Sequence, residues 1–183
     1  MASLPDPTAT LTGAGRAIYE DILARRQAKG VDHLGPYIPL LNHPQLARLI
    51  EQLGYFYKYD SALPRDAYQL VVLILAARSG VTFVWDDHVA AARAAGLPEA
   101  VIDAVKTAGG APSAPLPAPF DTVAGLADAA FAFRSIPEAL QAQAISRFGV
   151  TGLLELVTLC GFYTMMGMVN ACFDVPLPHR KES

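Results

Sequence analysis

Two cysteines in 183 residues, Cys160 and Cys172, set the first exclusion. They stand twelve apart, so no Cys-x-x-Cys pair exists for thiol exchange or a zinc site. Both fall in an apolar stretch near the C-terminus, where reduced thiols act as small hydrophobes, as expected of a cytosolic protein. Runs of lysine or arginine are also missing, and the formal net charge is -3. Nucleic acid is therefore not an expected partner, because phosphate binding needs a concentrated basic face. Arg25-Arg26 with Lys29 reads as a solvated helix end. No His-x-x-x-His and no glycine-rich phosphate loop occurs, so no metal and no nucleotide cofactor is expected. The opening MASLPDPTAT has neither a basic n-region nor an apolar h-region, and no signal peptide is read there.

What the chain does have is apolar material: 52% of residues are hydrophobic and 17% charged. That suffices for one globular domain over 1–183 with a real core. Val150 to Phe173 is long enough to cross a bilayer. It contains Glu155, Asn170 and three glycines, and a central buried helix is the expected reading, with no membrane partner.

Helical periodicity dominates. Residues 1–10 read as a loose arm, then a helix from Thr12 to Lys29 with Ile18, Ile22 and Leu23 inward and Gly30 as its stop. Pro44 opens a helix whose apolar positions are Leu46, Leu49, Ile50 and Leu53. Gly54 ends it before an aromatic patch of Tyr55, Phe56, Tyr57 and Tyr59. Pro64 opens a strongly apolar helix that Ser79-Gly80 breaks. The next helix runs to Ala95, Gly96 closes it, and Leu97-Pro98-Glu99 starts a short one. The last two long helices, tightly joined, should pack antiparallel. Gly109 to Pro119 is a proline-rich surface connection inside the domain. Helices resume from Phe120 to Arg134 and from Ile136 to Arg147, the latter with Ser135 in capping-box position. Gly149 ends it, and Thr151 caps a final apolar helix. No β-alternation of useful length appears, so the class is all-α.

One stretch suggests chemistry. Stepping by three and four from His88 collects Val81, Val84, Trp85, Ala91, Ala92 and Ala95 on one apolar stripe. An imidazole there, with Asp87 at the stripe's edge, is a candidate acid–base group. Asp87 would orient His88 or stand as an exposed aspartate. Trp85 and Phe83 would wall a pocket with Val84. Tyr68 and Tyr163 would present hydroxyls to an oxyanion, or be structural. His33 and His43 would rim the entry or be solvated, and Met165, Met166 and Met168 read as core filler.

The order of landmarks carries a resemblance. It runs Leu34-Gly35-Pro36-Tyr37, Leu41-Asn42-His43-Pro44, Leu63-Pro64-Arg65, Phe83-Val84-Trp85-x-x-His88, Ala95-Gly96-Leu97-Pro98, then Leu156 to Tyr163 with Asn170. Over roughly residues 31–178 this resembles the carboxymuconolactone decarboxylase family of the alkylhydroperoxidase-D-like superfamily. The resemblance implies an all-helical fold assembled as trimers or hexamers, with the site near a subunit contact. It also implies a small-molecule substrate and no cofactor. In the peroxidase-like branch a glutamate and a Cys-x-x-Cys precede the histidine; here those positions hold Gln69, Val81 and Val84. The resemblance thereby implies two active roles for Gln69, to hydrogen-bond a substrate carbonyl or to fix the His88 tautomer, or else an inert remnant of a lost acid. In the decarboxylase-like branch the motif is Tyr-Glu-Trp-x-x-His; here the glutamate is Val84. A proton-shuttling lyase or isomerase on a cyclic or lactone-type acid or ketone is expected. A non-catalytic binding or assembly protein is the alternative, and thiol peroxidase chemistry comes third.

Overall fold

The computed structural model describes residues 3–80 and 82–175, and of residues 82 and 83 the backbone alone. Helices make up the described chain, with no strand among the described residues. They gather into two compact units: residues 1–59 with 168–183, and residues 60–167. The proline-rich connection at 109–119 falls inside the second unit and does not divide the two.

The first unit holds α1 (Gly13–Gln27), α2 (Tyr37–Leu40) and α3 (Pro44–Tyr55), with α1 and α2 both packed on α3. Ile18 and Ile22 are buried as expected, and Leu23 is half-buried. The segment expected to be a loose arm is tied down. Pro7 is buried, the Asn42 amide donates to the Pro5 carbonyl at 3.0 Å, and Arg16 donates to that of Thr8 at 2.9 Å. His43 neither rims a site nor stands idle, because its Nδ1 accepts the Leu46 amide and caps α3 beside Pro44. His33 is exposed.

α3 departs from expectation in what it covers. Ala47, Ile50, Glu51 and Gly54 are buried, while Leu46, Leu49 and Leu53 are exposed, Leu49 to 61%. Helical period fixes which residues share a strip; it does not fix how much of a wide apolar face finds a neighbour. The helix also does not stop at Gly54. It continues into a π-helical turn, Phe56–Asp60, which buries Tyr57.

In the second unit α4 (Arg65–Ser79) is the central element, packed on α5 (Thr82–Ala94), α6 (Glu99–Ala108) and α7 (Phe120–Phe131). Every residue from Ala67 to Ala76 is buried. A helix apolar all round belongs inside, and each large side chain so placed contributes roughly 1.5–3 kcal/mol. The Ser79 hydroxyl bonds back to the Leu75 carbonyl at 2.8 Å, and Gly80 takes the left-handed φ of 67° that ends the helix.

The last element, α8 (Glu138–Cys172), begins two residues later than expected, so Ser135 is not at its cap position. Gly149, at φ 69° and ψ 175°, breaks it where the sequence predicts a boundary. The part beyond this break was expected to be the central buried helix. That place belongs to α4, because Val150, Leu154 and Met168 of α8 are exposed. By length and composition α8 is apolar enough to cross a membrane, and half of its most apolar window is buried within the protein. Of Met165, Met166 and Met168 only Met166 is core, and Cys172, expected as a hydrophobe, is exposed while Cys160 is buried.

Candidate functional site

Gln69 lies in the first half of α4 and His88 in the middle of α5, and the break at Ser79-Gly80 folds one helix back against the other. The two side chains meet in the interior. His88 Nδ1 lies 2.9 Å from Gln69 Oε1, with His88 8% and Gln69 5% exposed. An amide oxygen only accepts, so Nδ1 carries the hydrogen and donates it. In the neutral ring the acceptor lone pair is thereby placed on Nε2. Of the two roles expected for Gln69, the geometry supplies tautomer control.

The stripe around His88 keeps its predicted order. Val84 and Ala92 are buried, while Trp85, Ala91 and Ala95 are half-buried. Asp86 and Asp87 are exposed, yet Asp87 Oδ2 lies 3.8 Å from His88 Nε2. Its carboxylate, 52% exposed, is placed to favour a protonated ring without being buried beside it. Residue 81 and the side chains of Thr82 and Phe83 lie outside the described residues, and the expectations on Val81 and Phe83 go with them.

Two tyrosines complete the cluster. The Tyr163 ring meets the His88 ring edge-on, centroids 5.4 Å apart at 86°, and is itself met edge-on by Phe162. The hydroxyls of Tyr68 and Tyr163 are hydrogen-bonded to each other, and both residues are buried. Arg65, a sequence landmark to which no role was attached, places its guanidinium 4.0 Å over the Tyr68 ring. Arg65, Tyr68 and Gln69 of α4, His88 of α5 and Tyr163 of α8 thus form one connected set.

Sequence reasoning missed a second buried carboxylate. Glu155 is 8% exposed and accepts the Ser61 hydroxyl at 2.6 Å. Its isolation within an apolar run was the available signal, since charges that deep are kept only when paired. A hollow of about 470 Å³ lies elsewhere in this unit, between the 111–116 segment and the α7 residues Asp121 and Asp128. Among the described residues no group of three or more His, Cys, Asp or Glu could hold a metal ion.

Comparison with family models, with curated proteins and with solved structures returns no match to this chain.

Proposed function

We propose that this protein is a cofactor-independent lyase or isomerase of the carboxymuconolactone decarboxylase-like type, acting on a small cyclic or lactone-type organic acid or ketone. The observation that carries the reading is the buried His88–Gln69 bond of 2.9 Å, which sets the tautomer of an interior imidazole. Gln69 holds Nδ1–H, so Nε2 is the basic atom. It takes a proton from the carbon beside the substrate carbonyl, and the electron pair moves onto the carbonyl oxygen as an enolate. The imidazolium is held by Gln69 at Nδ1 and favoured by the Asp87 carboxylate. Returning the proton to another carbon gives isomerisation. In decarboxylation the ring instead starts protonated, gives that proton to the enolate carbon left by departing carbon dioxide, and regains one from water.

The amide nitrogen of Gln69 and the hydroxyls of Tyr68 and Tyr163 are the donors for the enolate oxygen. Trp85 and Val84 give the apolar wall that keeps those contacts strong. Assembly as a homo-oligomer, trimeric or hexameric, belongs to the same proposal, as does a cytoplasmic setting without membrane or nucleic-acid partners. Exposed Leu46, Leu49 and Leu53 support the self-association, since such apolar strips mark contact sites.

The test is a panel of lactones, β-keto acids and enones offered to wild type and His88→Ala. Conversion that disappears with the ring supports the proposal, and turnover unchanged in the variant removes it. A second reading, a non-catalytic binding or assembly protein, is favoured by Gln69 and Val84 standing where the family has glutamates. Tight binding of panel members with no conversion supports that one. Thiol peroxidase action is the weakest of the three: burial pushes the Cys160 thiol up to about 12, and Cys172 alone is exposed.

A further inference from the structure

The basic residues read from sequence as a solvated helix end are built into something. Glu51 of α3 is 2% exposed, and Arg25 Nη2 of α1 reaches its carboxylate at 2.5 Å and that of Asp21 at 3.2 Å. A small hollow of about 20 Å³ opens beside this pair, lined by Arg25, Arg26, Glu51 and Lys58 with the rings of Tyr37, Tyr55 and Tyr59. All of it lies in the first unit.

Three observations set its chemistry. The cations outnumber the carboxylates, and two of them sit on rings. Arg26 lies 5.1 Å over Tyr37, and the Lys29 ammonium lies 4.6 Å over Tyr59 and 5.6 Å over Tyr55. Neither Arg26 nor Lys29 has a carboxylate within ion-pair distance among the described residues, so aromatic faces hold their charge without neutralising it. The Arg25 Nε–H, in turn, is buried and makes no hydrogen bond. A buried donor in that state is destabilising. The Glu51 charge, finally, is already matched by Arg25 and so does not cancel the excess of cations.

We propose that this hollow binds a compact oxyanion, the carboxylate or phosphate end of a small organic acid. Its size admits little more than one water-sized group. One oxygen of the charged head enters, and the rest of the ligand lies outside it beside the exposed Tyr59. The Arg26 guanidinium, whose Nε already donates to the His33 carbonyl at 2.9 Å, donates to the oxyanion through its terminal nitrogens, and Lys29 supplies charge at the rim. The site stands independently of the His88 reading.

Thermal unfolding and calorimetric titration of the full chain test it, with sodium phosphate, sodium acetate and sodium chloride at matched ionic strength. A saturable rise in melting temperature with phosphate or acetate beyond chloride is expected. Phosphate acting alone identifies a phosphorylated ligand, and acetate acting alone a carboxylic acid. The double variant Arg26→Gln with Lys29→Gln leaves the Arg25–Glu51 pair intact and should weaken binding by roughly tenfold or more. His88→Ala should bind as wild type does. Equal effects of all three salts, or full binding in the double variant, overturn the proposal.

Discussion

Two of the buried polar pairs, one in each unit, solve opposite problems. His88 and Gln69 are joined by one hydrogen bond between groups that need carry no charge. Arg25 and Glu51 are joined by a charge-assisted bond, with Glu51 almost fully enclosed and Arg25 about a third exposed. The neutral pair orients a ring at little desolvation cost and leaves it able to gain a proton, with Asp87 at the surface to favour that. The charged pair is committed: each ion is tolerable only while the other stays. A buried group that must change charge is better held by an amide than by a carboxylate, and a group that must keep its charge is held by its opposite.

The largest expected effect falls on the neutral pair's function. Under the lyase or isomerase proposal, His88→Ala lowers turnover of a responsive substrate by about 100-fold or more, the range for a lost acid–base group. Gln69→Ala removes only orientation, and a loss of roughly tenfold is expected from steady-state rates. Equal losses in both variants would mean that Gln69 itself meets the reacting atoms. Gln69→Glu sharpens the contrast further. A buried carboxylate beside Nδ1 should make the ring hold its proton more tightly, shifting its NMR titration to higher pH than in wild type.

Stability is where the charged pair shows. Arg25→Ala leaves Glu51 buried without its partner, and a loss of about 2 kcal/mol is expected in urea unfolding, below the full buried-pair value because Arg25 is partly exposed. The pH dependence has a definite sign. Burial holds the Glu51 carboxyl above its ordinary 4.5, against the opposing pull of Arg25 and Arg26. The native chain therefore binds that proton more tightly than the unfolded chain does. The contribution is full in acid, below the unfolded value, and is lost as pH rises through the higher folded value. Arg25→Ala should steepen this decline and Glu51→Gln should flatten it, measured as urea midpoints from about pH 4 to pH 7. A flat profile in wild type would mean that Arg25 fully offsets the burial.

Local punctuation was legible in the sequence; long-range pairing was not. Ser79-Gly80 and Gly149 break helices where they were expected to, because a hydroxyl that bonds back to the backbone and a residue free to adopt positive φ act within one turn. The stripe that buries His88 follows from helical period alone. Its partner Gln69 entered through alignment to a family motif, and the hydrogen bond between them needed the fold. The Arg25–Glu51 pair spans 26 residues, Ser61–Glu155 spans 94 and Tyr68–Tyr163 spans 95. No periodicity connects such positions. Arg25-Arg26 looked solvated because nothing local shows that a glutamate on another helix is buried against the first of them.

The smallest effect on stability tests the other side of the helix that carries Glu51. One strip of α3 is covered and delivers Glu51 to its arginine; the adjacent strip shows Leu46, Leu49 and Leu53 to solvent. If these leucines serve self-association, replacing all three with glutamine should shift an oligomeric wild type toward monomer in light scattering. The urea midpoint of the monomer should move little, within about 0.5 kcal/mol per substitution, because exposed side chains contribute little to folding. Since the covered strip is untouched, the Glu51-linked pH slope should persist in the variant. A monomeric wild type would remove the role given to the leucines. A variant that loses both assembly and the slope would show that the two strips of α3 fold as one unit, and that the outer leucines help hold the charged pair closed.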